Sequence, residues 1–370
     1  MSDTGVGLPP LFECYPSLAK DIPYVSLGQF PTPVERLQHL GRELGIDQLY
    51  IKRDDLTCDV YGGNKIRKLE FLVGLALREK RREVMTFGAA GSNHATATAV
   101  SAHKVGLRSI SMLVPQPNAQ YVRDNLLMSY CHGAELHLYG GQLQRRLGVV
   151  WQRLAHRVTA GRAPLVIPFG GSSPLGAIGF VNAAFEIKEQ IESGQIPEPD
   201  RMYVALGSMG TAVGLQLGLR AVGLSTRLTP VRVVPEEHAT PDRFVELFRR
   251  TGALIRRADP SFPVCELGEE DVEIVHDFFG PGYGVSTPEG TEAIRRAREA
   301  EGIKLDRTYT GKTFAALVRA AERGELADEV VLFWLTLNSR DLSSAIADVD
   351  YRTLPRSFHR YFEEDVHEGD

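Results

Sequence analysis

This sequence is poor in several features that decide a function outright. Four cysteines in 370 residues, Cys14, Cys58, Cys131 and Cys265, stand far apart with no C-x-x-C pair. That excludes a disulfide scaffold and a thiolate zinc site, and it points to free thiols in a reducing compartment. No run of about 18 apolar residues occurs, so no membrane-spanning helix is expected. Residues 1–16 hold Asp3 and the Pro9-Pro10 pair but no basic and apolar leader pattern, which argues against a secretory signal. A cytoplasmic location is therefore the expectation. Ten histidines include no H-E-x-x-H or comparable ligand spacing, so no catalytic metal is expected. Lys plus Arg is 42 and Asp plus Glu is 47, a net charge of −5. Such a balance gives no electrostatic reason to seek a nucleic-acid backbone. There is no repeat of 20–50 residues and no low-complexity linker, and the mostly acidic residues 363–370 are expected to fray.

What is present is an ordinary globular composition, 43% hydrophobic and 24% charged. At roughly 150 residues per domain the length allows two joined lobes or one large unit. Strand-length apolar runs at 48–53, 84–88, 108–114, 135–139, 164–169, 202–206, 229–234 and 329–335 alternate with segments of helical period. These helical segments fall near 64–80, 92–105, 119–131, 143–160, 174–193, 211–222, 287–301 and 311–324. Alternation of this kind predicts an α/β fold, with parallel-rich sheets flanked by helices. Val330 to Leu335 is continuous apolar sequence, as suits a strand covered on both faces. Thr287-Pro288 has the form of a helix start, an N-cap followed by proline. Segments 112–165 and 236–270 show no diagnostic motif.

Three segments carry candidate chemistry. In Gly62-Gly63-Asn64-Lys65 a glycine turn leads into a helix that Asn64 is placed to cap, and Lys65 falls in its first turn. The helix dipole disfavours a cation there. Partial burial and the neighbouring Arg67 or Lys68 would lower its pKa toward a free, nucleophilic amine. The plainer reading is a solvated surface lysine. Gly88 to His94 follows a strand and opens a helix, whose free N–H groups suit a carboxylate or phosphate; Ser92 offers a hydroxyl or simply an N-cap. Gly207-Ser208-Met209-Gly210-Thr211 has the same context and reads as a phosphate cradle. It lacks G-x-G-x-x-G spacing, which weighs against a dinucleotide. Thr310-Gly311-Lys312-Thr313 ends like a Walker A loop, but Asp306 stands where that motif needs glycine.

A phosphate cradle, an activatable lysine and a separate anion-binding helix end together fit pyridoxal 5'-phosphate and an amino-acid substrate. Here the residues also carry a resemblance. Pro31 to Leu37, Lys52 to Thr57, Gly62 to Lys65, Gly91 to His94, Gly207 to Thr211, Gly282-Tyr283-Gly284 and Asp306 to Lys312 fall in order across roughly residues 31–340. They resemble the D-cysteine desulfhydrase and 1-aminocyclopropane-1-carboxylate deaminase family, within the tryptophan-synthase-like, fold type II pyridoxal enzymes.

The resemblance implies two α/β lobes with the cofactor in the cleft between them, and a homodimer. The large lobe would comprise residues 1–66 and 181–370, with a small lobe of 67–180 inserted. Lys65 would be the Schiff-base lysine. Lys68 with Gly207, Ser208, Met209, Gly210 and Thr211 would hold the phosphate, and Asn93 the phenolic oxygen. Ser92, Asn93 and His94 would receive the substrate carboxylate, and Tyr283 and Tyr309 would face the substrate. Thr310 and Thr336 would lie near the pyridine nitrogen. The implied reaction is β-elimination from a small amino acid such as D-cysteine, since Thr310 and His94 stand where ring-opening deaminases typically have Glu and Gln. Cyclopropane ring opening, another leaving group such as sulfite from cysteate, and cofactor binding without turnover are the alternatives. Two segments depart from the family pattern, Cys58-Asp59-Val60-Tyr61 and Leu335-Thr336-Leu337-Asn338. The second is expected to bring bulk beside the cofactor.

Overall fold

The computed structural model describes residues 7–366. Among these residues nine strands form two sheets. They are β1 (Val34–Arg36), β2 (Gln48–Arg53), β3 (Glu83–Ala89), β4 (Arg108–Val114), β5 (Glu135–Leu138), β6 (Leu165–Val166), β7 (Arg201–Leu206), β8 (Arg227–Arg232) and β9 (Val330–Leu335). One sheet has the order β1-β2-β9-β7-β8 and the other β5-β4-β3-β6. Every pairing is parallel except β1 with β2. The α/β, parallel-rich expectation therefore holds. All six side chains of β9 are buried, as its unbroken apolar run requires.

The expected helices form, and Thr287 caps Pro288–Glu301 through a hydrogen bond from Gly290 N at 3.0 Å. Among the elements that the sequence did not announce, two bear on the packing. The short β1 pairs antiparallel at a sheet edge. The helix Pro241–Ala258 buries Phe244, Phe248, Thr251 and Ile255 against the core. The 164–169 candidate shrinks to β6, because Pro164 and Pro168 bracket it and proline lacks the ladder donor. Residues 168–171 turn instead toward the site. The last residues do not all fray: the carbonyls of Glu364 and Asp365 accept from Asn118 Nδ2, and Arg123 also donates to Glu364 O. The rest of that segment, 367–370, lies outside the described residues.

The helices Lys65–Arg78, Pro174–Glu192 and Gly210–Ala221 pack side by side, and their starts converge on one place. Close approach makes this possible. A Cβ on Gly179 would stand 2.1 Å from Arg67 O, and one on Gly214 2.4 Å from Ala177 O. Beneath them lies a closed ion cluster. Glu186 accepts from Lys52 Nζ at 2.5 Å and from Arg67 at 2.7 and 3.0 Å, while Asp54 accepts from Arg67 and from Trp334 Nε1 at 2.8 Å. Among the described residues no helix is long and apolar enough to cross a membrane.

Candidate active site

Lys65 opens the Lys65–Arg78 helix behind Gly63, whose φ of +99° only glycine adopts without strain. Asn64 does not cap this helix by side chain as expected. Its own backbone is helical, and its Nδ2 donates to Thr211 Oγ1 at 3.0 Å, joining the lysine turn to the glycine loop. Lys65 is half-buried, and among the described residues its Nζ has no hydrogen-bond partner. Burial brings its amine down to about 8, against an upward pull from Asp306. Arg67 is not the neighbour responsible, because Asp54 and Glu186 already neutralise it. Lys68 also lies deep; burial first and the Lys65 charge second hold its amine well below the usual range.

Lys68 and the 207–211 loop come together, joined by a segment that sequence reasoning missed. Lys68 Nζ donates to Gly170 O and to Ser172 Oγ, both at 3.2 Å. Ser172 Oγ donates to Ser208 Oγ at 2.8 Å and accepts from Gly210 N at 3.1 Å. Met209 takes φ +68°, a rare value for a side-chain-bearing residue, and turns the chain into the Gly210–Ala221 helix. The backbone N–H groups of Ser208, Met209, Thr211 and Ala212 have no partner among the described residues. A Cβ on Gly210 would stand 2.7 Å from Ser172 Oγ and 3.1 Å from Lys68 Nζ. Unpaired donors, an ammonium and hydroxyls around a space that a methyl would fill fit a phosphate ester. Gly170-Gly171-Ser172-Ser173 before a proline-led helix was the available signal for the missed segment.

At the second helix end, Ser92 caps Asn93–Lys104 by accepting from Ala95 N at 3.3 Å. The N–H groups of Asn93 and His94 remain unpaired among the described residues, and this is where a carboxylate fits. Asn93 Oδ1 accepts from Tyr61 and Asn125, so its Nδ2 is the end left to donate. The His94 side chain corrects the expectation. It is 4% exposed, and a Cβ on Gly171 would lie 3.4 Å from its Cε1, so the ring packs beside the cradle instead of the open helix end. Among the described residues neither ring nitrogen makes a well-formed hydrogen bond, and burial followed by the Lys65 and Lys68 charges keeps the ring neutral against an opposing pull from the Pro168 backbone.

Tyr283 and Tyr309 meet hydroxyl to hydroxyl, their rings edge to face at 6.1 Å. Tyr309 also lies against the cradle, its Cε1 3.5 Å from where a Gly207 Cβ would be. The Tyr283 ring is 44% exposed while its hydroxyl end is enclosed, and burial raises both phenols, Tyr309 strongly. Lys312, of the rejected Walker-like run, is buried and donates to Phe279 O at 2.6 Å, fastening the loop that carries Tyr283. Thr310 needs a second correction. Its hydroxyl donates to Asp306 Oδ1 at 2.6 Å and accepts from Asp306 N at 2.8 Å, so it is consumed in starting the Thr310–Glu322 helix. Thr336 is half-buried, and its backbone carbonyl lies beside Gly63 and accepts from Asn64 N at 3.1 Å. The bulk expected from 335–338 goes elsewhere: Leu335 and Leu337 join the core with Leu49 and Phe333, and Asn338 Oδ1 accepts from Gly62 N at 2.8 Å.

A lowered amine next to a phosphate cradle, with a second anion site and a phenol pair nearby, supports chemistry on an aldehyde cofactor that bears phosphate. The comparisons agree. A relative from Pyrococcus horikoshii named "Putative 1-aminocyclopropane-1-carboxylate deaminase" is 37% identical over 320 residues, covering 85% of this chain and 92% of the relative. The D-cysteine desulfhydrase of Salmonella paratyphi B is 35% identical over 312 residues, covering 83% and 91%. A crystal structure described as an ACC deaminase homologue superposes with TM-score 0.74 at 36% identity, covering 90% of this chain and 96% of that one. The family described as pyridoxal-phosphate dependent enzyme matches residues 25–336. With the match running from ahead of β1 to just past β9, the chain belongs to that pyridoxal-phosphate dependent family.

Proposed function

We propose that this enzyme catalyses β-elimination from a small amino acid, with D-cysteine the first substrate to try. The overall change is D-cysteine plus water giving pyruvate, ammonia and hydrogen sulfide. The observation that carries the proposal is the Lys65 amine, pushed to about 8 beside a cradle of unpaired N–H groups. Lys68, Ser172, Ser208 and the 207–211 backbone would hold the phosphate of pyridoxal phosphate, Lys65 its aldehyde carbon, Asn93 Nδ2 its phenolic oxygen and Thr336 its ring nitrogen. When bound, that group supplies a sink for the electron pair left at the substrate's α-carbon.

The chain's own residues do the rest. The N–H groups of Asn93 and His94, with the Ser92 hydroxyl, orient the substrate carboxylate. Lys65 Nζ removes the α-proton. The Tyr283–Tyr309 pair, kept protonated by burial, gives a proton to the departing sulfur. Elimination is favoured over ring opening because Thr310 adds no acid: a neutral hydroxyl at Thr336 does not enforce protonation of the ring nitrogen. The reading of binding without turnover rested on bulk at 335–338, which packs into the core instead.

The division into lobes 1–66 with 181–370 and an inserted 67–180 is proposed with this, supported by β3 to β6 pairing only with one another. A homodimer is proposed too. The helix Gln142–Thr159 leaves Leu143, Leu147, Val150, Trp151, Leu154 and Val158 exposed, an apolar stripe that single soluble chains seldom leave in water. Sedimentation as a monomer at micromolar concentration overturns it. A cytoplasmic location is supported by four free cysteines. The deciding experiment assays D-cysteine, L-cysteine, β-chloro-D-alanine, L-cysteate and 1-aminocyclopropane-1-carboxylate side by side for keto acid and ammonia. Turnover of the cyclopropane alone overturns elimination, and turnover of none leaves cofactor binding as the function.

A further inference from the structure

Cys58 to Tyr61 departs from the family pattern, yet it ends in a well-connected residue. The Tyr61 side chain is 1% exposed, and its hydroxyl lies 3.1 Å from Asn93 Oδ1 and 3.0 Å from Asn125 Oδ1. Asn125 stands in the Gln120–Cys131 helix and is 4% exposed. Its Nδ2 donates to Gly91 O and to Asn93 Oδ1, both at 2.9 Å. Its backbone carbonyl accepts from Ser129 Oγ at 2.7 Å and from Thr96 Oγ1 at 3.3 Å. Three segments meet here: the turn ahead of the lysine, the start of Asn93–Lys104, and a helix behind both.

The inventory of donors fixes the orientations. Both Asn125 amide hydrogens face carbonyl oxygens, so its Oδ1 faces Tyr61. Asn93 must then present oxygen, not nitrogen, to this cluster. Reversing its amide would set two N–H groups against each other. Tyr61 has one hydrogen for two oxygens, so it serves one of them at a time; burial keeps that hydrogen in place, although hydrogen bonds to Asn125 and Thr96 pull the other way.

We infer that Tyr61 and Asn125 are positioning residues that lock the Asn93 amide with Nδ2 as the donor to the cofactor's phenolic oxygen. The inference rests on the role proposed above for Asn93. A free asparagine amide can offer either end, and only one end stabilises a phenolate. This lock makes the choice before the cofactor arrives.

The test uses the holoenzyme and two readouts besides turnover: the pH titration of the visible absorption band and the cofactor dissociation constant. Asn125→Asp puts an oxygen where Nδ2 was, so Asn93 must turn its nitrogen inward and its oxygen outward. We expect the band to titrate at least about one pH unit away, with cofactor bound about tenfold more weakly. Tyr61→Phe removes one hydroxyl from a ring that keeps its packing, and should weaken binding about threefold with a smaller band shift. The double variant Asn93→Ala with Asn125→Asp should match Asn93→Ala alone, because Asn125 acts through Asn93. If Asn93→Ala moves the band while Tyr61→Phe and Asn125→Asp, both folded, leave it in place, the positioning role is wrong. If Asn93→Ala itself changes nothing, the reading of Asn93 fails and takes this inference with it. Should Asn125→Asp not fold, Tyr61→Phe decides alone.

Discussion

Replacing Glu186 by glutamine probes the ion cluster beneath the site. The side chain is 1% exposed, and Lys52, Arg67 and Asp54 around it are equally buried. Two cations and two carboxylates sum to zero, so Glu186→Gln strands one positive charge in a closed space. Breaking a buried pair in this way costs about 3–5 kcal/mol. A second route gives a similar figure. Burial pushes the Glu186 carboxyl up, but the Arg67 and Lys52 charges outweigh it and bring it to about 2, from an ordinary 4.5. That gap of about 2.5 pH units at 1.36 kcal/mol each is about 3 kcal/mol. Trp334 donates to Asp54, and Trp151 stands on the surface, so quenching and emission wavelength separate the two tryptophans of the chain. With a urea slope of roughly 3 kcal/mol/M, the midpoint of the Trp334 transition should fall by about 1 M at pH 7. The sign in acid follows from a folded pKa that is depressed. The carboxylate's contribution is complete above about pH 4.5 and disappears as pH falls toward about 2. The gap between wild type and Glu186→Gln must close across that window. A loss under about 1 kcal/mol at pH 7, or a gap unchanged at pH 3, would mean that water reaches the cluster and the reasoning fails.

Three more outcomes are expected. Gly210→Val should weaken cofactor binding at least about tenfold with the fold retained, since its Cβ meets Ser172 Oγ and Lys68 Nζ; unchanged affinity by equilibrium dialysis contradicts the cradle. Cofactor capture by the apoprotein should slow about tenfold per pH unit below about 8 and level off above it, because only the neutral Lys65 amine attacks, and borohydride should leave the label on Lys65; a rate flat from pH 6 to 9 or label elsewhere refutes it. Lys312→Met should raise KM more than it lowers kcat by loosening the Tyr283 loop from Phe279 O, and steady-state kinetics showing equal KM would leave that loop independent of Lys312.

Much of this architecture was legible in the sequence because local and global preferences agree. The β9 run is apolar at every position, as burial on both faces demands, and Thr287-Pro288 begins a helix where it should. The helix Pro241–Ala258 was not read from the sequence. Phe244, Phe248, Thr251 and Ile255 repeat at helical spacing, but arginines dominate the segment and mask the period. At the site, Lys65 and the 207–211 loop were readable because glycines before a helix announce close backbone approach, and Lys68 only through the family resemblance. Ser172, Asn125 and Lys312 were not. Each acts through a partner far away in sequence, Lys68, Asn93 and Phe279, and pairing of that kind leaves no local pattern. Thr310 and His94 were placed by type, yet a hydroxyl can be claimed by its own helix start and an imidazole can turn inward.

The two departures from the family pattern show why context outweighs position. Taken separately, Cys58 to Tyr61 and Leu335 to Asn338 are unrelated departures, and the second alone suggests bulk beside the cofactor. In the fold they lie side by side beyond the C-terminal ends of the paired strands β2 and β9. Asn338 Oδ1 receives Gly62 N, Ser339 Oγ donates to Asp55 at 2.6 Å, and Arg340 donates to Cys58 O at 2.9 Å and to Asp59 at 3.1 Å. Gly62 cannot yield, since a Cβ there would stand 2.0 Å from Asp55 O. The stretch 338–340 therefore holds the turn 55–62 that carries Cys58 and Asp59. Between them the glycine turn, Lys65 and, through Tyr61, the Asn93 amide are held from one side. Asn338→Ala should loosen the lysine turn by freeing Gly62 N, and Arg340→Ala should do so by freeing Cys58 O and Asp59; cofactor affinity in the two single variants and the double variant tests this, with unchanged affinity in both singles refuting the hold and additive losses showing that the two contacts act independently.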